Sequence, residues 1–539
     1  MKILIIGGVA GGATAAARLR RLDEHAQIIM FERGDYISFA NCGLPYYIGG
    51  EITDKNELTV QTPQSFKERL NIDVRTREEV TAIDRGAKTV SVQRADGSTY
   101  TESYDKLIVS PGASPIIPPI EGASAENVFT LRNIPDTYRI AEYIEQRHPK
   151  TAAIIGGGFI GLEMAENLSR RGIAVTVLEA APQIAAVMDE DTVCDLENYL
   201  RAHGIAIRTG AAVSSIAETG CDMVILSVGV KPESRLAQEC GLTLGIRGTI
   251  LVDEHMRTSD PDIYAVGDVV QIRNFVSDSE GYVPLAGPAN KQARIAADNI
   301  CGKASSYKGT QGTSILKVFD MTAAATGLNE RAAKAAGIPY DKVFLWSGSH
   351  ASYYPGAQSM NLKVLFNTGT GKILGAQIVG FGGVDKRIDV LAAAIRAGMD
   401  YTGLCDLELA YAPPFSSAKD PVNMAGYVID NLMNGLVRQI HWHDVDALTG
   451  TQGLQRIDVR PSAVYAQGTI PGARNIPLTQ LRSRLGELDK TKTVYVSCQT
   501  GLTSYIACRI LTQEGFDAVN LAGGYRLYHA VMQSRNTER

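Results

Sequence analysis

Two cysteines stand where a thiolate could do chemistry. Cys42 lies in Ser38-Phe39-Ala40-Asn41-Cys42-Gly43-Leu44-Pro45-Tyr46-Tyr47, and Cys498 in Val494-Tyr495-Val496-Ser497-Cys498-Gln499-Thr500-Gly501. Neither has a Cys-x-x-Cys partner with which to exchange electrons as a dithiol. A free cysteine usually packs as a small hydrophobe. Cys42, however, has polar Ser38 and Asn41 before it and Gly43 and Pro45 after it, and a short helix starting there would lower its pKa through the helix dipole. Cys498 ends an apolar run inside a loop whose amides suit a thiolate or persulfide anion, with Gly501 to let the loop curl and a following helix to add its N-terminal dipole. Cys508, in that helix, reads as packing.

The elements around Cys42 point to nucleotide chemistry. Thr151–Ile155 reads as a strand, Gly156-Gly157-Gly158-Phe159-Ile160-Gly161 as a turn, the stretch to Arg171 as a helix, and Ala174–Leu178 as a strand closing on Glu179. Such glycines let the backbone approach a pyrophosphate at a helix N-terminus, and an acid about 20 residues on accepts from ribose hydroxyls. Gly156, Gly158, Gly161 and Glu179, with Gly229 further on, are the candidate NAD ligands. A carboxylate at 179 followed by Ala180-Ala181-Pro182-Gln183, with no cation, would repel a 2′-phosphate and predicts NADH over NADPH. The same order opens the chain: strand 2–6, Gly7-Gly8-Val9-Ala10-Gly11-Gly12, helix to Leu22, strand 27–31, Glu32. There Val9 replaces the middle glycine.

Downstream, Arg257-Thr258-Ser259-Asp260-Pro261-Asp262-Ile263-Tyr264-Ala265-Val266-Gly267-Asp268 resembles the segment of two-dinucleotide flavoproteins whose Gly-Asp carboxylate binds the ribityl chain of FAD. Tyr104-Asp105-Lys106-Leu107-Ile108-Val109-Ser110-Pro111-Gly112 resembles the returning strand and turn of that fold. The resemblance implies an α/β protein with an FAD-binding domain at 1–148 and 249–311, interrupted by an NAD(H)-binding domain at 149–248, both Rossmann-like, and then an α+β dimerisation domain at 312–440. It implies FAD contacts at Gly7, Gly12, Glu32, Arg33, Asn41, Gly267 and Asp268.

Segment 38–50, with Val9-Ala10-Gly11-Gly12-Ala13-Thr14, resembles the coenzyme A disulfide reductases of the pyridine nucleotide–disulfide reductase group, over roughly residues 1–440. That family implies a homodimer with one FAD per chain and a lone cysteine, here Cys42, that forms a mixed disulfide with coenzyme A. It implies coenzyme A contacts at Thr14, Arg18, Arg21, Ser38 and Asn41, although Arg18 stands where the family can carry a neutral polar residue. Arg18 and Arg21, three apart on one helical face, suit phosphates, while a solvated face is the ordinary reading of such a pair. The family also implies two tyrosines that reach the opposite subunit's active site. One is Tyr411, in Leu409-Ala410-Tyr411-Ala412-Pro413-Pro414, and the other is Tyr353 or Tyr354. Either a phenol that protonates a departing thiolate or simple interface packing would account for them. A rival within the fold is an NADH oxidase or peroxidase that cycles Cys42 through sulfenic acid, but the peroxidases carry a histidine where this chain has Val9-Ala10.

Arg456-Ile457-Asp458-Val459-Arg460, Gly468-Thr469-Ile470-Pro471-Gly472-Ala473-Arg474-Asn475, the Cys498 loop and Leu521-Ala522-Gly523-Gly524-Tyr525 resemble an α/β rhodanese domain, placed at 450–539 after a linker over 436–449. Gln499 and Leu502 are neutral where thiosulfate-using rhodaneses carry basic residues, which favours a polysulfide or low-molecular-weight persulfide donor. The whole chain resembles fused coenzyme A disulfide reductase–rhodanese proteins, some of which are NADH-dependent persulfide or polysulfide reductases. That implies sulfane sulfur handled by Cys498, S–S cleavage by Cys42 and sulfide as product. A sulfurtransferase with a regulatory flavin part is the alternative from another class.

Length and composition agree with this architecture. The 539 residues suit about three or four domains, and 45% hydrophobic content suffices for several cores. A net charge of −5 gives no general reason to expect nucleic-acid or membrane-surface binding. No stretch approaches the ~20 apolar residues of a membrane span, and the first residues lack a signal peptide's apolar region. Eight scattered cysteines suggest neither a disulfide framework nor a metal site, so a cytoplasmic protein with reduced thiols is expected.

Overall fold

A computed structural model describes residues 1–449 and 454–536. The expected ends of the rhodanese domain, 450 and 539, lie outside the described residues. The chain forms two compact units, 1–182 with 210–312, and 183–209 with 313–539.

In the first unit the N-terminal strand Lys2–Ile6 is buried over nearly its whole length, as a strand covered on both faces must be. It pairs in parallel with Gln27–Glu32 on one side and Lys106–Val109 on the other. Asp73–Thr76 and the far-downstream Ile263–Ala265 extend the sheet at its two edges. The chain thus leaves this sheet and returns to it more than a hundred residues later, which brings Gly267 and Asp268 back beside the first glycine turn. A second parallel sheet joins Ala174–Leu178, Thr151–Ile155, Met223–Leu226 and Val128–Phe129. Val128–Phe129 precedes residue 149, where this lobe was expected to begin.

In the second unit an antiparallel sheet runs in the order Ser314–Val318, Met321–Gly327, Ile373–Gly380, Ser359–Asn367, Tyr340–Gly348. A parallel sheet follows in the order Arg438–Ile440, Ala518–Leu521, Val494–Ser497, Gln455–Asp458, Arg474–Asn475. The stretch 436–449 is therefore not a free linker: Arg438–Ile440 hydrogen-bonds into the C-terminal sheet as its edge strand. Residues 183–209, expected inside the NAD(H) domain, cluster with this unit. Their helix, Glu190–Ala202, lies against the C-terminal helix Gly524–Asn536, with Asn198 Nδ2 donating to the Ala530 carbonyl at 3.1 Å and Arg535 pairing with Glu190. Cys194, Phe344, Trp442, Ala522, Leu527 and Val531 form the shared core.

Beneath that core lies a buried charge cluster. Lys363 Nζ sits 2.9 Å from Asp189, 2.5 Å from Asp191 and 2.5 Å from Glu330, and Lys342 Nζ is 2.6 Å from Glu330. Trp442 Nε1 donates to Asp191 at 3.2 Å. The three carboxylates are close enough to share a cation, and the cation between them is the Lys363 ammonium. Among the described residues no helix is long and apolar enough to cross a membrane.

Candidate active site

The first glycine turn is built by exclusion. A Cβ on Gly7, at φ +97°, would sit 2.1 Å from the Ser110 carbonyl oxygen, and one on Gly12 would sit 1.8 Å from that of Gly7. Glu32 closes the turn by accepting from the Gly8 and Gly34 amides at 3.0 and 2.8 Å. The second turn repeats this arrangement. Gly156 and Gly161 are hemmed in by backbone, and Glu179 accepts from the amides of Gly157 and Ala181, both at 2.7 Å. No protein atom would meet a Cβ on Gly158, so the space above it is open to a phosphate. Gly229, at φ +112°, accepts from the Ile116 amide at 2.9 Å.

These cradles fit two dinucleotides. Asp268 follows Gly267, at φ +86°, and burial pushes its carboxyl up while Arg132, 3.6 Å away, pulls it down. The Asn41 Oδ1 is buried without a protein partner, the kind of polar atom a bound cofactor satisfies. Arg33 is the weakest of the expected flavin contacts: its side chain is exposed and points to Glu233, 4.0 Å away.

Cys42 lies in a single 3₁₀ turn, Asn41–Gly43, that runs straight into the helix Leu44–Gly49. That helix packs against the second glycine-turn helix, Phe159–Arg170, so closely that a Cβ on Gly49 would meet Asn167 Oδ1 at 1.9 Å. The packing brings Tyr46 Oη to 3.5 Å from Glu163 Oε1. Glu163 was not anticipated, and it changes the electrostatics. Cys42 is exposed, yet partial burial of the thiol together with the charges of Glu163 and Asp268 pushes its pKa up. The lowering expected from a helix dipole is outweighed, because the helix is short and two carboxylates face the sulfur. Burial, with Glu166 adding to it, raises the Glu163 carboxyl to about 7.

Beside this segment a cavity of about 420 Å³ is lined by Ala13, Thr14, Arg21, Ser38, Gln61, Ser65, Phe66 and Arg69, among others. Ser38 is held at φ +45° by its amide bond to the Gly8 carbonyl at 2.8 Å, so its side chain faces a fixed direction. Arg69 and Ser65 come from the helix Pro63–Leu70, and nothing in their local sequence marks them. Thr14 donates to Asn290 Oδ1 at 2.6 Å. Arg18 departs from expectation: its guanidinium pairs with Asp298 at 2.6 Å and is mostly buried, so it is not free for a phosphate. The paired cations of this cavity are Arg21 and Arg69.

In the second unit Tyr353 and Tyr411 share a hydrogen bond of 2.9 Å between their hydroxyls, and both are exposed. Tyr354 turns instead onto the His350 ring. Of the two adjacent tyrosines, Tyr353 is the one coupled to Tyr411.

Cys498 is 1% exposed, and its sulfur is met by the Gly501 amide at 3.1 Å and the Ser504 hydroxyl at 3.2 Å. Gly501, at φ +98°, allows the curl. Buried Arg460 pairs with Asp458 at 2.5 Å, donates to Gln499 Oε1 at 3.1 Å and stacks on Tyr525, which fixes the loop from below. This is a cup of donors around one sulfur, suited to a thiolate or persulfide anion.

Residues 1–293 match the pyridine nucleotide-disulphide oxidoreductase family, 313–421 its dimerisation domain and 442–530 the rhodanese-like domain. The chain belongs to the pyridine nucleotide-disulphide oxidoreductase family. It is 38% identical over 438 residues to a coenzyme A disulfide reductase of Staphylococcus haemolyticus, covering 79% of this chain and 98% of the relative. A crystal structure of reduced Bacillus anthracis CoADR-RHD superposes with a TM-score of 0.97 at 49% identity, covering 99% of this chain and 98% of that one. A NAD-dependent persulfide reductase from A. fulgidus superposes at 0.91 with 40% identity, covering 98% and 100%. The chain is thus an oxidoreductase of this family, which uses FAD and NADH, with a rhodanese domain attached.

Within that family's architecture Glu163 makes a testable prediction. Glu163→Gln removes a negative charge that disfavours the Cys42 thiolate, so the pH midpoint of Cys42 alkylation should move down. Rates of iodoacetamide labelling against pH would measure it. An unchanged midpoint would show that Glu163 does not act on Cys42.

Proposed function

We propose that the protein is an NADH-dependent reductase of coenzyme A persulfide, polysulfide or coenzyme A disulfide, with sulfide as a product and Cys498 handling sulfane sulfur. The observation that carries this reading is the pair of unpartnered cysteines in two different settings. Cys42 is exposed beside a cofactor cradle and a cavity holding two arginines, and Cys498 is buried in a cup of donors.

The residues divide the work. Gly7, Gly12, Glu32, Asn41, Gly267 and Asp268 would hold FAD, and Gly156, Gly158, Gly161 and Glu179 would hold NADH. When bound, FAD supplies two-electron transfer between NADH and sulfur. Arg21 and Arg69 suit the phosphates of coenzyme A, and Ser38 and Thr14 its nearer polar groups. The Cys42 thiolate forms a new S–S bond with one sulfur of the substrate while the old S–S bond breaks, expelling hydrosulfide or a thiolate. The two electrons of NADH would then cleave this new S–S bond, restoring the Cys42 thiolate and releasing the sulfur group bound to it as a thiol. Tyr411 and Tyr353, as the phenol pair of a partner subunit, would donate the proton that the departing sulfur takes up. The dimerisation-domain match and the exposed aromatic face of Tyr353, Tyr411 and Phe415 support a homodimer. Eight free cysteines support a reducing, cytoplasmic setting.

NADH consumption and sulfide release should be measured together with each of the three sulfur substrates. Sulfide formed in step with NADH supports the proposal. Sulfur transfer without NADH use would assign a sulfurtransferase, and NADH consumption matched by oxygen uptake alone would assign an oxidase. Within this assay Cys498→Ser should lower sulfur transfer from polysulfide by on the order of 10²-fold or more, while reduction of coenzyme A persulfide at Cys42 stays near its original rate. A parallel loss of both would show that the two cysteines are one obligate relay.

A further inference from the structure

Among the described residues, an arginine beside the rhodanese loop, Arg526, forms no ion pair. Arg526 stands in the first turn of the helix Gly524–Asn536, and its amide donates to the Gln499 carbonyl at 2.9 Å, next to the Tyr525 amide on the Cys498 carbonyl at 2.8 Å. It is therefore tied to the same loop that holds the sulfur. Its guanidinium lies 3.7 Å from the centre of the Trp346 ring. Stacking occupies the face of the fork and leaves the five N–H donors in its plane. Among the described residues none of those donors meets a protein acceptor.

Neighbouring cations differ in this respect: Arg460 has Asp458, Arg484 has Glu487 and Arg535 has Glu190. The carboxyl that acts on Arg526 is Asp195, which is half-buried and already takes the Asn361 amide at 3.0 Å. Partial burial against the ring pushes the Arg526 pKa down, as expected of a cation lacking its anion. The indole N–H of Trp346 and the Oδ1 of its cross-strand neighbour Asn361 are also buried without partners. A held fork with free donors is the arrangement that binds an oxyanion bidentately. On the other flank of the loop, Leu502 and Ile506, one turn apart on the next helix, are 58% and 42% exposed. They offer an apolar rail for a neutral arm.

We propose that Arg526 anchors a phosphate of a phosphorylated thiol carrier while the carrier's long neutral arm presents its sulfane sulfur to Cys498. This deepens the proposed function and rests on it for the sulfur chemistry, since Cys498 must accept sulfane sulfur. In the step itself the Cys498 thiolate takes the outer sulfur of the carrier persulfide, forming a Cys498 persulfide as the carrier S–S bond breaks and the carrier leaves as a thiolate.

The test uses the full chain carrying Cys42→Ser, without NADH, and follows persulfidation of Cys498. Arg526→Gln should raise the half-saturating concentration of coenzyme A persulfide about tenfold and leave that of pantetheine persulfide, which has no phosphate, unchanged. Arg526→Lys should recover part of the loss. No effect, or an equal effect on both donors, overturns the proposal. A second readout needs no sulfur chemistry: the chain has two tryptophans, and adenosine 3′,5′-bisphosphate should change their emission saturably in the parent but not in Arg526→Gln. If this change occurs while coenzyme A persulfide fails to load Cys498, the donor reading fails and the arginine site stands. If inorganic phosphate gives the same change at the same concentration, the site is one for free phosphate and the carrier assignment falls.

Discussion

Cys42→Ser is expected to abolish NADH-dependent sulfide release, by on the order of 10³-fold or more, while FAD stays bound. The chemistry requires an atom that can form and break an S–S bond, and a serine hydroxyl can do neither. The fold should not suffer. Cys42 is exposed, so the smaller oxygen leaves no core cavity, and the flavin cradle is closed by Ser110, Gly7, Glu32 and Asp268 without help from the sulfur. The flavin absorbance of the purified variant, its NADH consumption and its sulfide output check the three parts of this expectation. Full turnover in the variant would remove the basis of the proposed function.

The second large effect concerns stability. Lys363→Met should destabilise the second unit by about 3–5 kcal/mol. Lys363 is fully buried and is the ammonium that Asp189, Asp191 and Glu330 share. Without it, three carboxylates remain against Lys342 alone, and desolvation that the ion pairs now offset is left uncompensated. The pH dependence follows from the shifts. Attraction to Lys363 and Lys342 holds the Asp191 and Glu330 carboxyls below their ordinary values of 3.8 and 4.5. Their contribution is therefore present above those values and is lost as the pH falls through the lower folded ones. Lys363 is raised above its ordinary 10.5, so its contribution is present below that value and is lost as the pH rises past the folded one. The deficit of the variant should thus be fullest between about pH 5 and 10 and shrink toward pH 4, where protonation relieves the stranded carboxylates. Urea unfolding of both proteins at pH 4, 5 and 7.5 measures it, and a difference under about 1 kcal/mol at pH 7.5 would contradict the assignment. Because Trp442 donates to Asp191 and the helix Glu190–Ala202 lies on Gly524–Asn536, the loss should loosen the rhodanese sheet together with the antiparallel one.

A strand–glycine–helix turn carries a local signature: a Cβ on Gly12 or Gly161 would strike the carbonyl of the turn's own first glycine, five residues back, and Glu32 and Glu179 cap backbone amides of the turns they close, although Gly7 and Gly156 are kept bare by Ser110 and Ser227, which return from far along the chain. The Cys498 cup is local as well, since Gly501 and Ser504 lie within six residues of the sulfur. These features, the α/β class and the family could therefore be read from short windows of sequence. Arg18 could not, because the carboxylate that captures it, Asp298, lies 280 residues away. Arg132 beside Asp268, Glu163 beside Tyr46 and Arg69 in the cavity with Arg21 arrive by the same kind of long-range approach. The choice of Tyr353 over Tyr354 turns on which way a loop faces Tyr411, and the strand Arg438–Ile440 looked like a linker because a short edge strand carries little pattern of its own. Sequence alone determined where the two glycine turns and the two candidate cysteines fall, since those patterns belong to a residue and its immediate neighbours. Tertiary structure decided which charges face those residues, because Coulomb and desolvation energies depend on distance through space rather than along the chain.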